Sequence, residues 1–309
     1  MRILVYRPDS GIHPWAEDLQ AALPQAQVVM WREDERSARC DYAVVWAPPP
    51  AMLPDLIETR ALFLMGAGAD AILKFGDALA QVPIVRVGDA GMGEQMAEYV
   101  THAVLHYYRR FDDYQSQARS GKWSALPLMS KREFTIGILG AGKLGSRVLD
   151  ALAHFGFPLR SWTRTPKTIA GIDSFHGMDQ LDAFLQGTRV LVCMLPLTAE
   201  TANLLDRTRL STLPRGAYLI NVARGAHVSE PDLMTLVRSG HIAGATLDVF
   251  RNEPLPGPHP FWDEPRITIT PHISATTVRG DSVMQIVDKI ARLERGEAVE
   301  DMVDRSRGY

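Results

Sequence analysis

Phe134-Thr135-Ile136-Gly137-Ile138-Leu139 runs into Gly140-Ala141-Gly142-Lys143-Leu144-Gly145, and Ser146 to Phe155 continue with helical spacing. An apolar run of strand length, a glycine turn and an amphipathic stretch follow one another in the order a phosphate-binding βα unit requires. Gly140 permits the tight turn, Gly142 lets the backbone come near a pyrophosphate, and Gly145 lets the helix lie close on the strand. The helix N-terminus adds N–H groups and a dipole that attract negative charge. The unit predicts a dinucleotide site on residues 140–145, Ala141, Lys143 and Leu144 included; a tight turn of an α/β domain without a ligand is the alternative.

The end of the next strand selects the dinucleotide. An NAD site usually carries Asp or Glu about 20 residues beyond the glycines, for the ribose 2′-hydroxyl. Here the chain reads Ser161-Trp162-Thr163-Arg164-Thr165-Pro166-Lys167, without an acid. Arg164 and Lys167, with the Thr163 and Thr165 hydroxyls beside them, suit a 2′-phosphate, because a guanidinium offers fixed paired donors and an ammonium a mobile charge. NADP(H) is the expected cofactor, against a merely solvated basic loop.

Outward from this unit the same rhythm holds. Ile3 to Tyr6, Tyr42 to Trp46, Ala61 to Met65 and Ile84 to Val87 read as buried parallel strands, with helix-like segments such as Met52 to Thr59 between them. A long helical stretch from Glu94 to about Arg119 follows. Leu159 to Trp162, Val190 to Met194, Ala217 to Ile220, Ala243 to Leu247 and Ile267 to Ile269 then continue the series. The expected fold class is α/β, with two doubly wound parallel-sheet domains (Rossmann-like or flavodoxin-like) and the active site in the cleft between them. The expected division is residues 1–97 plus 279–309 for the substrate domain and 98–278 for the dinucleotide domain, the last helix, Arg279 to Glu294, returning to the first.

Composition limits the remaining classes. The 309 residues suffice for two cores, and the formal charge of −3 with 22% charged residues carries no nucleic-acid signature. No apolar run approaches membrane-spanning length, and Arg2 to Tyr6 leave no room for a leader, so a cytoplasmic protein is expected. Cys40 and Cys193 lie in or beside apolar runs and read as reduced packing residues; no metal site is suggested.

Three further segments carry chemistry. Asn221-Val222-Ala223-Arg224-Gly225, Asn252-Glu253-Pro254 and Thr270-Pro271-His272 each stand just past the C-terminal end of an expected strand. An open parallel sheet presents ligands there, so an arginine, a glutamate and a histidine can converge despite their separation in sequence. In the first half, Met65-Gly66-Ala67-Gly68 follows a strand in the same way. Its N–H groups could take a carboxylate, while an ordinary β-to-α turn is the plain alternative.

Taken together, Gly140 to Gly145, Leu195-Pro196-Leu197-Thr198-Ala199-Glu200-Thr201, Asn221 to Gly225, Leu247-Asp248-Val249-Phe250 with Glu253-Pro254, and Pro271-His272 resemble the D-isomer-specific 2-hydroxyacid dehydrogenase family over essentially the whole chain. Val45-Trp46-Ala47-Pro48-Pro49, Gly66 to Asp70, Gly91 to Met96, Arg109 to Tyr114, Trp162 to Thr165 and Arg307-Gly308-Tyr309 are similar to its glyoxylate/hydroxypyruvate reductase A branch. Ser274-Ala275, where glycine often stands, and the missing ribose acid are departures from commoner members.

The resemblance implies roles. Arg224 would hold the substrate carboxylate and polarise the keto oxygen, His272 would donate a proton to that oxygen as hydride reaches the carbon, and Glu253 would orient the imidazole and stabilise its charged form. Leu195, Pro196, Val222, Ala223 and, more weakly, Asp248 would border the cofactor, Asp248 having the alternative of satisfying local backbone donors. Trp46, Gly66, Ala67 and Gly68 would border a small 2-keto acid. A homodimer is implied through the long-helix region, where Trp123 lies. Two rivals stay open: another D-2-hydroxyacid dehydrogenase specificity, and a dinucleotide-sensing binding protein on the same fold.

Overall fold

The structure is a computed structural model that describes residues 1–34 and 39–309. Its contacts divide the chain into two units, Met1–Gly91 with Thr277–Tyr309, and Met92–Thr276. The division comes six residues earlier than the 97/98 boundary suggested by the sequence. The Met92–Tyr108 helix joins the second unit whole, because Met96, Val100, Ala103 and Val104 share one apolar cluster with Val148, Leu149 and Leu152 of the helix after the glycine turn. The Arg279–Glu294 helix returns to the first unit, and its Glu294 carboxylate accepts the Tyr42 hydroxyl at 2.6 Å.

In the first unit β1 (Arg2–Tyr6), β2 (Gln27–Met30), β3 (Tyr42–Val45), β4 (Ala61–Leu64) and β5 (Ile84–Arg86) form a parallel sheet in the order β2-β1-β3-β4-β5. This is the doubly wound order of flavodoxin-like sheets. In the second, β6 (Ile136–Leu139), β7 (Leu159–Thr163), β8 (Asp173–His176), β9 (Val190–Cys193), β10 (Ala217–Asn221), β11 (Ile242–Leu247) and β12 (Ile267–Ile269) form a seven-stranded parallel sheet, β12-β11-β10-β9-β6-β7-β8. Counted from β6, six of these strands follow the Rossmann order, with a seventh added at the edge.

Both faces of the larger sheet are covered, which is why its strands read as unbroken apolar runs. Ile136, Ile138, Val190, Val192 and Ile220 enter one cluster, whereas Leu139, Leu191, Cys193 and Leu219 enter the other, following the alternation of a pleated strand. Cys193 and Cys40 are both buried free thiols. Two strands escape the apolar reading, β2 and β8. Both are sheet edges, and neither has a buried residue.

The long helical stretch is two helices, Met92–Tyr108 and Phe111–Arg119. Arg110 between them adopts the left-handed conformation at φ 59°, a helix stop without the glycine that usually announces one. The segment expected as a helix over Met52 to Thr59 is a short 3₁₀ turn, Pro50–Met52, followed by the single turn Leu53–Leu56. No helix among the described residues is long and apolar enough to cross a membrane.

Candidate active site

In the second unit the strand order reverses between β6 and β9, and the segments after these two strands nearly touch. A Cβ added to Gly140 would stand 2.8 Å from the Met194 carbonyl oxygen, and Gly140 itself has φ +103°, so both space and backbone conformation demand glycine. A Cβ on Gly145 would collide with the Gly140 carbonyl, which shows how closely the Lys143–Ala153 helix lies on the end of β6. The same test at Gly142 meets nothing within 4 Å, and no side chain caps that helix N-terminus. The turn therefore leaves an open cradle of backbone N–H groups of the kind that accepts a pyrophosphate.

Beside the cradle, at the end of β7, the Thr163 hydroxyl donates to the Thr165 carbonyl at 2.8 Å and closes the loop that carries half-buried Arg164. Lys167 folds back on the glycine turn, its ammonium donating to the Ala141 carbonyl at 2.5 Å and to the Ser146 hydroxyl at 3.3 Å. Past β9, Leu195 is buried, and the Pro196 carbonyl accepts from the Thr201 hydroxyl at 2.7 Å. Val222 and Ala223, past β10, are buried as well. Every dinucleotide residue named from the sequence, Asp248 included, thus lies at or just past the C-terminal end of a strand of this sheet.

Asp248 is fully buried, and its carboxylate is already engaged. Oδ1 accepts from the Thr270 hydroxyl at 2.5 Å and from the Ile273 N–H at 2.8 Å, and Oδ2 accepts from the Ser274 N–H at 2.8 Å. The His272 N–H reaches the Asp248 main-chain carbonyl at 2.9 Å. Asp248 holds the segment that carries His272, through donors 25 and 26 residues away rather than the local ones its position in sequence suggested as an alternative.

The three candidate catalytic groups meet beside this segment. His272 Nδ1 lies 2.8 Å from Glu253 Oε2, and Glu253 Oε1 accepts the Phe250 N–H at 2.9 Å. The hydrogen bond from Glu253, with its charge, raises the His272 pKa above the ordinary imidazole value against the opposing effects of burial and of Arg224. For Glu253, burial pushes the carboxyl up, but the bonds from His272 and Phe250 and the His272 and Arg224 charges outweigh it and lower its pKa. The Arg224 guanidinium, half-buried, is close enough to act electrostatically on both. Its loop owes this position to Gly225, where a Cβ would collide with the Phe250 main-chain carbonyl.

Sequence reading missed His227, Gln95 and Tyr99. His227 is fully buried, with Nδ1 at 3.0 Å from the Arg224 carbonyl and Nε2 at 3.2 Å from the Pro196 carbonyl, so it bridges the two loops. Burial lowers its pKa, but contact with Cys193 and the two carbonyls outweighs this and raises it. Tyr99 and Gln95 lie on the Met92–Tyr108 helix and touch Thr270 and Thr276. In an amphipathic helix such residues look like ordinary core and rim positions, so no local signal marks them.

In the first unit, Trp46 and Gly66 follow the paired strands β3 and β4, and a Cβ on Gly66 would fall 2.5 Å from the Trp46 ring. Ala67 and Gly68 are half-buried, and the helix after them, Asp70–Leu73, is a single turn. Trp123 is fully exposed.

The profile of the D-isomer specific 2-hydroxyacid dehydrogenase NAD binding domain matches residues 101–274, more than half of the chain. A D-isomer specific 2-hydroxyacid dehydrogenase from Xanthobacter autotrophicus Py2, solved in complex with NADPH and MES, is 39% identical with a TM-score of 0.93; the match covers 100% of this chain and 99% of that one. A family protein from Klebsiella pneumoniae 342 is 33% identical at a TM-score of 0.88, covering 99% and 98%. The NADPH-dependent glyoxylate/hydroxypyruvate reductase from Sinorhizobium meliloti, in complex with NADP and sulfate, is 31% identical at 0.92, covering 100% and 99%. With its two parallel sheets, its glycine cradle and its Arg, Glu and His segments, the chain belongs to the D-isomer specific 2-hydroxyacid dehydrogenase family.

Proposed function

We propose that the protein uses NADPH to reduce small 2-keto acids, glyoxylate and hydroxypyruvate foremost, to the corresponding 2-hydroxy acids. The observation that carries this reading is the 2.8 Å contact of His272 Nδ1 with Glu253 beside Arg224, on the sheet that holds the glycine cradle. The nicotinamide supplies the hydride. Arg224 pairs with the substrate carboxylate and favours the negative charge that grows on the keto oxygen. With Nδ1 held by Glu253, Nε2 is the His272 atom left to deliver a proton to that oxygen. One hydride and one proton convert the keto acid to the hydroxy acid.

Arg164 and Lys167, with Thr163 and Thr165, fit a 2′-phosphate, and Gly140 to Gly145 with Leu195, Pro196, Val222 and Ala223 fit the rest of the dinucleotide. NADPH and NADP in similar structures support the choice. The small residues Gly66, Ala67 and Gly68 beside Trp46 suit a substrate of two or three carbons, in keeping with the reductase from Sinorhizobium meliloti. We take the enzyme to be a cytoplasmic homodimer.

The test is NADPH oxidation at 340 nm with glyoxylate, hydroxypyruvate, pyruvate and bulkier 2-keto acids, on the natural enzyme and on His272→Asn. Turnover is expected on the smallest acids, and the variant should bind NADPH normally while losing about 10²–10⁴-fold in kcat. Near-normal turnover of the variant removes His272 as the acid; NADPH binding without turnover on any acid removes the reductase reading.

A further inference from the structure

The segment 270–276, which carries His272, is tied at both ends to one face of the Met92–Tyr108 helix. At its start, Tyr99 Oη lies 2.5 Å from Thr270 Oγ1, which lies 2.5 Å from Asp248 Oδ1. At its end, Gln95 Oε1 accepts from the Thr276 N–H at 3.1 Å and from the Thr276 hydroxyl at 3.0 Å, while Gln95 Nε2 donates to the Thr276 carbonyl at 2.9 Å. Gln95 and Tyr99 are four residues apart and so share a helix face.

The direction of the hydroxyl chain follows from its acceptor. Both Asp248 oxygens already accept main-chain N–H groups, from Ile273 and Ser274. The Thr270 hydroxyl must therefore donate to Asp248, and its single proton is used. Tyr99 must then donate to Thr270, which requires a protonated phenol. Burial supplies one, pushing the Tyr99 pKa up to about 12.

The pinned segment is under strain that needs holding. His272 has φ +56°, a left-handed conformation that is unfavourable for a non-glycine residue. Such a conformation persists only where its surroundings determine it from several sides. Here they do so through the His272 N–H on the Asp248 carbonyl, the Asp248 carboxylate on 270, 273 and 274, and the helix on 270 and 276.

We infer that Tyr99 and Gln95 are positioning residues for the reaction: through Thr270 and Thr276 they hold the His272 backbone in its left-handed conformation and thereby keep the imidazole against Glu253. The inference rests on the reading of His272 as proton donor. Loosening either tie separates the imidazole from its carboxylate without touching the glycine cradle. The charged groups acting on the imidazole are Glu253, Arg224 and Asp248; Tyr99→Phe leaves the bonds to all three in place, whereas Thr270→Val also takes from Asp248 the hydroxyl that donates to it.

Tyr99→Phe removes the donor, and Thr270→Val interrupts the chain in a near-isosteric way; Thr270→Ser restores the hydroxyl. Each full-length variant would be compared with the natural enzyme by NADPH dissociation constant, kcat on glyoxylate and the pH titration of His272 followed by NMR in the absence of substrate. The expected result for Phe and Val is a kcat lower by roughly 10- to 100-fold, the scale of a small misplacement. NADPH affinity should be unchanged, the His272 midpoint should move down towards that of a free imidazole, and Thr270→Ser should recover all three properties. Natural kcat and an unmoved His272 midpoint in both Tyr99→Phe and Thr270→Val would overturn the inference. So would a uniform loss in which the serine variant is as impaired as the valine. The NMR midpoint needs no turnover, so a downward shift in enzyme whose His272→Asn form still turns over would sink the proton-donor reading and leave the pinning standing.

Discussion

His272 and Glu253 are each more than a third exposed, so their ion pair contributes little to holding the fold together; its effect lies in the proton. In the proposed reduction the imidazolium is the form that donates, and the bond from Glu253 extends its range to higher pH. Reduction should hold steady at low and neutral pH and fall as pH rises through the His272 pKa, while the reverse oxidation rises over the same window. Glu253→Gln removes the charge that raises this pKa. The alkaline limb of kcat for reduction should therefore move to lower pH, and an unmoved limb in a pH–rate series would show that another group titrates there. In the proposed NADPH site Arg164 would govern a different property. Arg164→Ala should raise the KM for NADPH at least about tenfold, the loss of ~1.4 kcal/mol expected of a charge-assisted bond, and leave the KM for NADH almost unchanged. An equal rise for both would take the 2′-phosphate away from Arg164. The residue types and spacing of both sites were legible in the sequence. The pairing of Tyr99 with Thr270 was not, because 171 residues separate them.

At the level of the element, the β6 turn and the helix after it form one rigid device. Its dimension is set by Gly145, which has the Gly140 carbonyl where a side chain would be. Gly145→Ala should cost about 1–3 kcal/mol, as overpacking does, visible as a lower urea midpoint, and should weaken NADPH binding more than it changes the affinity for the keto acid. Strands flanked by apolar neighbours on both faces could be read directly, since β6, β9 and β10 are uniformly buried. β2 and β8 could not, because none of their residues is buried, whereas the other two edge strands, β5 and β12, keep buried residues. The break at Arg110 escaped for another reason: Asp113 accepts from its guanidinium at 2.7 Å in a turn that no glycine or proline marks.

For the whole molecule, one stretch holds four of the twelve exposed large apolar residues among the described residues. Phe111, Tyr114, Trp123 and Leu128 are exposed, Trp123 completely, within a segment that ends before β6 begins. The homodimer proposed above would use this stretch as its interaction face. Light scattering should return twice the chain mass, and Trp123→Glu with Leu128→Glu should return a single chain mass; a monomer in the natural protein would end the homodimer proposal. By itself the sequence determined the α/β class, the glycine cradle, the absence of a ribose acid and the segments bearing Arg224, Glu253 and His272. Each of these is written in local periodicity or in spacing along one strand-turn-helix unit. Only the tertiary structure decided that Asp248 spends its carboxylate on the 270–274 segment, that His227 joins the Arg224 and Pro196 loops, and that one helix face bonds both ends of the segment carrying His272. These are hydrogen bonds between groups far apart in the chain, whose donors and acceptors become partners only when the parallel strands bring their ends to one edge.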